Sequence, residues 1–316
     1  MKDLLVKFKA AMLWHALGDA LGAPFEGQSM FETCDMTKEF IITQEKYYYT
    51  DDTIMMLCIA RAIVRKGEFS QEEILKEYIK AYTSHEIRGI GFTTDKALSR
   101  YVTTGVFPPG VIDKFAAGNG VAMRVTPIAL FDSFKDYSIL YEHIRQDAYL
   151  THRNELAISG AFAVAIAIKE ALFLSNKMKV VSKVLEILEN FGIENRVYDA
   201  ICKAISLARE GGDHLENLSK IGNSGYVVES VSNALYCFIV SNNPLDAVIL
   251  AIRSGGDTDT NAAITGAISG AFYAEIPHNL MTKLESADEI ETLALKIYKL
   301  AKKSANNIQK NDKNRL

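Results

Sequence analysis

Two short stretches of this chain concentrate the residue types that hold hard cations. The first is Tyr49-Thr50-Asp51-Asp52-Thr53, and the second is Ser254-Gly255-Gly256-Asp257-Thr258-Asp259-Thr260-Asn261. Each pairs two carboxylates with threonine hydroxyls, and each lies between a loop-like segment and an apolar run that reads as a helix. A helix start needs one acidic cap, and a second carboxylate beside it is repelled. A divalent cation removes that cost, and a set made only of oxygen donors suits Mg²⁺ or Mn²⁺ rather than zinc. The Asp-x-Asp-x-Asn opening at Asp257 is not an EF-hand loop: Ala262 stands where that loop needs glycine, and Ile268 where it needs a bidentate glutamate. Gly255-Gly256 suits a backbone that something approaches closely. Taken alone, Thr50–Thr53 suits a capped helix start equally well; the second cluster makes the ligand reading the better one.

Weaker signals surround these two. Asp19 sits in the apolar end of the first helical stretch, where a carboxylate opposes the helix dipole, so it is either paired in the core or near the site. Glu26 follows on a loop, free to serve as a metal ligand or a proton carrier. Gly118-Asn119-Gly120-Val121-Ala122-Met123-Arg124 is a glycine-rich turn into a helix, of the kind that offers backbone N–H groups to a phosphate. Thr151-His152 precedes a long apolar helix, and His152 there is either a satisfied structural histidine or a group that meets a ligand. None of the six histidines has a zinc-binding spacing.

These residues are positioned by helices. Apolar residues recur at helical spacing over 3–20, 53–64, 94–102, 123–130, 137–149, 180–189, 196–209, 228–240, 244–252 and 260–273. Ser70-Gln71-Glu72-Glu73 reads as a capping box opening a helix to about residue 82. The stretch 154–173 is apolar on every face and is expected at the centre. Alternating strands are absent, so the fold class is all-α, a compact single-domain helical bundle. The domain is expected to span 1–301, with a polar, frayed tail over 302–316. Irregular structure is expected over 22–50, 103–122 and 210–227, the places for a binding site.

The charge balance is mildly acidic, net −4 with no Lys/Arg cluster, which argues against nucleic acid as partner. The four cysteines, Cys34, Cys58, Cys202 and Cys237, are scattered without a CxxC pair, as expected of free thiols in the cytoplasm. The N-terminal apolar run is interrupted by His15 and Asp19, so neither a signal peptide nor a membrane span is expected.

Six motifs in order carry a resemblance: GDALGAPFEG (18–27), YTDDTIM (49–55), GNGVAMRVTPIAL (118–130), THRNELAISGA (151–161), YVVESVSNAL (226–235) and GGDTDTNAAITGAISGAFYA (255–274). The chain resembles the ADP-ribosylglycohydrolase family. The resemblance implies a compact all-α bundle with a binuclear Mg²⁺ or Mn²⁺ centre held by Thr50, Asp51, Asp52, Asp257, Asp259 and Thr260. It implies Glu26, Asp52 and Asp257 as the catalytic carboxylates. It also implies Asn119, Gly120 and Met123 as the turn that holds the diphosphate and distal ribose, and His152 as a residue of the ADP-ribose groove. The expected activity is metal-dependent cleavage of the glycosidic bond between ADP-ribose and a macromolecule, first of all arginine on a protein. The alternatives are an O-linked (serine) or other conjugate, a non-catalytic ADP-ribose-binding role, and a metal-dependent phosphatase. One departure bears on the linkage: Gly89, in Arg88-Gly89-Ile90-Gly91-Phe92-Thr93-Thr94, stands where many relatives carry an aspartate.

Overall fold

The computed structural model describes residues 3–313 apart from Glu194, with side chains to residue 306. Among them there are seventeen α-helices and no strand, only three isolated bridges. The first helices are α1 (Leu4–Gly22), the one-turn α2 (Met30–Thr33) and α3 (Lys38–Ile41), then α4 (Asp51–Lys66), α5 (Gln71–Thr83) and α6 (Phe92–Thr104). A 3₁₀ turn over Asn119–Arg124 leads into α7 (Thr126–Phe131), α8 (Tyr137–Ala148), α9 (Glu155–Phe173), α10 (Lys177–Asn190) and α11 (Arg196–Glu210). The chain ends in α12 (His214–Ile221), α13 (Val227–Val240), α14 (Pro244–Arg253), α15 (Thr258–Tyr273), α16 (His278–Met281) and α17 (Ala287–Lys313).

Local chemistry accounts for most of the boundaries. Asp3 caps α1 by accepting from Leu5 N–H, and Asn154 caps α9 by accepting from Leu156 and Ala157 N–H. Asn243 caps α14, whose first residue is Pro244. At α5, Ser70 accepts from Glu73 N–H, but the Glu73 carboxylate turns to Arg65 (2.7 Å) and Lys76 (2.6 Å), so the reciprocal half of the expected capping box is not made. The apolar α9 lies in the core, as expected. It is long and apolar enough to cross a membrane by those measures alone, yet 83% of that window is buried inside the fold.

The last helix, α17, continues through the polar stretch from residue 302 to Lys313. Ala301 is buried, and Lys302 and Lys303 follow as good helix formers. Residues 314–316 lie outside the described residues. The stretch 210–227 is not wholly irregular, because α12 forms within it, capped by Asp213 and buried at Asn217 and Leu218.

The central pair is α1 against α15, antiparallel and in backbone contact. A Cβ on Gly18 would lie 2.2 Å from Ala262 O, on Gly22 2.5 Å from Thr258 O, on Gly266 2.1 Å from Trp14 O and on Gly270 2.3 Å from Ala10 O. Glycines four apart on each helix make this approach possible. It carries the C-terminal end of α1 onto the N-terminal end of α15, where the second acidic cluster begins.

Candidate metal centre

Three helix ends converge: the last turn of α1 and the first turns of α4 and α15. Asp19 ties the first two. It is wholly buried and accepts from Thr50 N–H (3.0 Å), Thr50 Oγ1 (2.9 Å), Thr53 N–H (2.9 Å) and Thr53 Oγ1 (2.6 Å). Thr50 is the N-cap residue of α4 yet makes no side-chain cap bond of its own. Asp19, from another helix, satisfies the orphan N–H groups instead. Both alternatives open for Asp19 hold together: it is paired in the core, and it is next to the site.

Beyond Asp19 the donors face one another. Thr50 Oγ1 is 3.4 Å from Asp259 Oδ2, and Thr260 Oγ1 donates to Asp52 Oδ1 at 3.2 Å. Asp259 Oδ1 accepts from Thr260 N–H at 2.8 Å. Asp257 begins α15, and its Oδ2 accepts from Asn119 Nδ2 at 2.7 Å. Two sets of three carboxylates each bring oxygens within 4.8 Å of one another: Asp19 with Asp52 and Asp259, and Glu26 with Asp257 and Asp259. Asp259 belongs to both. Asp52 Oδ2 is buried and has no hydrogen-bond partner. A buried carboxylate oxygen without a donor is costly, and a cation is the partner this donor set lacks.

The electrostatics lead the same way. Burial pushes Asp51 and Asp52 well above the usual carboxylate range, reinforced for Asp51 by Asp19 and for Asp52 by Asp259. Burial and the neighbouring Asp257 push Asp259 up to about 10. With a pKa of about 10 Asp259 holds a proton at neutral pH; a divalent charge beside it would displace that proton and leave a ligand.

The acidic floor opens into a cleft of about 250 Å³. Asp51, Asp52, Asp257, Asp259 and Thr260 line it together with Glu26, Asn119, Gly120, Met123 and His152. Thr50 lies behind the lining and reaches the centre through its hydroxyl. Glu26 is exposed at the rim, and partial burial with the nearby Asp257 raises its pKa. One wall is the turn at Gly118, Asn119 and Gly120; another is Gly89 with Gly91, Phe92, Thr93 and Thr94.

The Asn119 side chain is already committed. Nδ2 donates to Asp257 and to Ser230 Oγ (2.9 Å), and its backbone N–H donates to Gly225 O (3.0 Å). Its first task is to orient Asp257. Gly120 must be glycine, since a Cβ there would lie 2.6 Å from His152 Cε1. Gly89 has a φ of +78°, and a Cβ on it would face Asp51 Oδ1 at 3.4 Å.

Sequence reasoning gave no role to Asn223, Gly225 or Ser230. Asn223 O accepts from Asp257 N–H (2.9 Å) and Asn261 Nδ2 (3.0 Å), so it anchors the start of α15. A glycine-flanked Asn-Ser-Gly before α13 is the signal that could have drawn attention there.

A profile of the ADP-ribosylglycohydrolase family matches residues 1–307. The chain is 29% identical to the human ADP-ribosylhydrolase ARH3, over 95% of each chain. It is 28% identical to the ADP-ribosylarginine hydrolase Tri1 of Pseudomonas putida, over 94% of this chain and 79% of that one. A solved structure titled ADP-ribosylglycohydrolase-related protein complex superposes with a TM-score of 0.77 at 27% identity, over 95% of this chain and 100% of the other.

Proposed function

The chain belongs to the ADP-ribosylglycohydrolase family and is a hydrolase of ADP-ribose conjugates; we propose that it works with two divalent cations, Mg²⁺ or Mn²⁺, which the acidic centre around Asp259 would hold. The observation that carries this is the pair of carboxylate sets sharing Asp259, with Asp52 Oδ2 buried and unpartnered between the helix ends. The ligands would be Thr50, Asp51, Asp52, Asp257, Asp259 and Thr260, all hard oxygen donors. Bound there, the cations would supply Lewis-acid grip on vicinal ribose hydroxyls and a water.

The remaining work falls to side chains. Asn119 fixes the orientation of Asp257 from behind. Asp52 and Asp257 lie in the floor of the cleft, where their negative charge would favour an oxocarbenium-like state as positive charge develops on the substrate. Glu26, exposed at the rim with a raised pKa, exchanges a proton with the leaving group or the attacking water. Gly118 and Gly120 let the backbone close on the diphosphate arm, and His152 backs them.

For the linkage, Gly89 favours an oxygen such as the serine hydroxyl. A guanidinium leaving group calls for an anion in the facing wall, and position 89 supplies none. The adjacent Arg88 is turned to Glu285 (2.6 Å) and stacks over Tyr49. An oxygen leaving group asks only for a proton, which Glu26 can give. The arginine linkage is the second reading, favoured by the likeness to the ADP-ribosylarginine hydrolase of P. putida. Cytoplasmic residence is proposed with it, supported by four cysteines that are all free thiols. The test is release of ADP-ribose from defined serine-linked and arginine-linked proteins with Mg²⁺, Mn²⁺ or EDTA. Metal-dependent release from the serine conjugate is expected to dominate; dominant release from the arginine conjugate reverses the linkage, and release undiminished by EDTA refutes metal dependence.

A further inference from the structure

Behind His152 runs a chain of buried polar groups that the scheme above leaves unused. Arg124 is wholly buried and donates from Nε to Asp147 Oδ2 (2.9 Å) and from Nη2 to Thr151 Oγ1 (2.8 Å). Tyr78 donates its hydroxyl to the other Asp147 oxygen (2.7 Å), and the Arg124 guanidinium lies 4.9 Å over the Tyr78 ring. Thr151 Oγ1 in turn is 2.8 Å from His152 Nδ1. His152 lines the cleft at the other end of this chain.

The donors and acceptors fix where the protons are. A guanidinium only donates, so Thr151 Oγ1 accepts from Arg124. The threonine hydroxyl carries one proton, and its other hydrogen-bond partner is His152 Nδ1. Thr151 is wholly buried, and a hydroxyl proton without an acceptor there is costly. The proton therefore goes to Nδ1, which accepts, and the ring proton sits on Nε2. The backbone is held independently: Val111 N–H donates to Thr151 O (2.9 Å), Arg153 N–H to Val111 O (3.0 Å) and His152 N–H to Ala148 O (2.7 Å). The side-chain relay is thus left to set the tautomer rather than the place of the ring.

We propose that Arg124 and Thr151 are positioning residues that lock His152 as the neutral Nε2–H tautomer, a fixed N–H donor to an oxygen of ADP-ribose lying against Gly118 and Gly120. This rests on the ADP-ribose reading of the cleft. Hypothetical Cβ atoms on Gly118 and Gly120 lie 3.5 Å and 3.1 Å from His152 Nε2, so the donor faces the two positions that lack side chains. Burial and the Arg124 charge, which lower the His152 pKa to about 3, keep the ring neutral. A neutral donor suits a cleft whose floor is reserved for cations.

Long-range ¹H–¹⁵N correlation spectra of the full-length protein, with ¹⁵N-labelled histidine, read the tautomer directly. His152 is assigned by the signals lost in His152→Gln. The expected result is Nε2–H with Nδ1 unprotonated; an Nδ1–H ring, or an imidazolium near neutral pH, overturns the proposal. Thr151→Val should mix the tautomers and weaken ADP-ribose binding, measured calorimetrically, about tenfold. Thr151→Ser should restore both. A Thr151→Val protein with unchanged tautomer and affinity would overturn the proposal. If the wild type shows the Nε2–H form but binds no ADP-ribose, the relay stands and the reading of the ligand fails.

Discussion

Replacing Gly22 by alanine tests whether the contact between α1 and α15 sets the geometry of the acidic centre. The new Cβ would lie 2.5 Å from Thr258 O and 2.7 Å from both N and Cα of Asp259, where ordinary contact begins at 3.4 Å. The helix ends must therefore part by about 0.9 Å. The obstacle is backbone, so no side-chain rotation relieves it. Overpacking of this kind costs up to about 3 kcal/mol, and the gain from replacing a helical glycine offsets about 1 kcal/mol at most. A net loss of about 2 kcal/mol lowers Tm by roughly 3 °C in a domain of this size. Gly270→Ala is the control. Its Cβ would lie 2.3 Å from Ala10 O, at the far end of the same helix pair. Both variants should lose comparable Tm by calorimetry. Only Gly22→Ala should move Asp259, weaken Mn²⁺ binding and cut kcat, the last by about 100-fold, as misplacements near 1 Å do. Equal Mn²⁺ affinity and turnover in the two variants would refute the reasoning, since the contact would then bear on stability alone.

Other expectations follow from the same geometry. Metal-free protein should lose stability as pH rises. Asp51, Asp52 and Asp259 have folded pKa values above their unfolded ones, so their contribution is fully present below about 4 and is lost as pH climbs toward the Asp259 value of about 10. Thermal melts across that window should show a falling Tm in EDTA and a nearly flat one with saturating Mn²⁺; a Tm that rises with pH in EDTA would contradict the raised pKa values. Asp19→Asn puts an amide donor against the N–H and hydroxyl groups of Thr50 and Thr53. It should cost about 2–3 kcal/mol in denaturant unfolding and weaken Mn²⁺ binding, whereas an unchanged midpoint would deny Asp19 its tying role. Glu26→Gln removes the proton carrier but no packed contact, so kcat should fall about 100-fold or more with Tm unchanged; turnover like the wild type would assign proton transfer elsewhere.

The acidic clusters were legible because their chemistry is local: paired carboxylates with threonines at helix starts are poor caps and good ligands. The role of Asp19 was not, because its partners Thr50 and Thr53 lie across an irregular loop and meet it only when α1 packs beside α4. Asn119 reads as a phosphate-binding turn residue, yet its amide is spent on Asp257 and Ser230, a long-range pairing that no spacing encodes. Gly120 and His152 are likewise a pair made by tertiary contact. The long helix α17 was not among the expected ones although Ile290, Leu293, Ala294, Ile297 and Ala301 recur at helical spacing and are buried. That signal was present, diluted by a polar composition. α12 is harder to read, since only Asn217 and Leu218 of its eight residues are buried.

The most direct test is a calorimetric titration of EDTA-stripped protein with Mn²⁺, run on the wild type and on Asp52→Ala, Asp257→Ala and Asp259→Ala. Because Asp259 belongs to both carboxylate sets and the other two to one each, the wild type should bind two ions, each single-set variant should lose one, and Asp259→Ala should weaken both. One ion in the wild type, or an Asp259→Ala protein that still binds two with unchanged affinity, would contradict the shared centre.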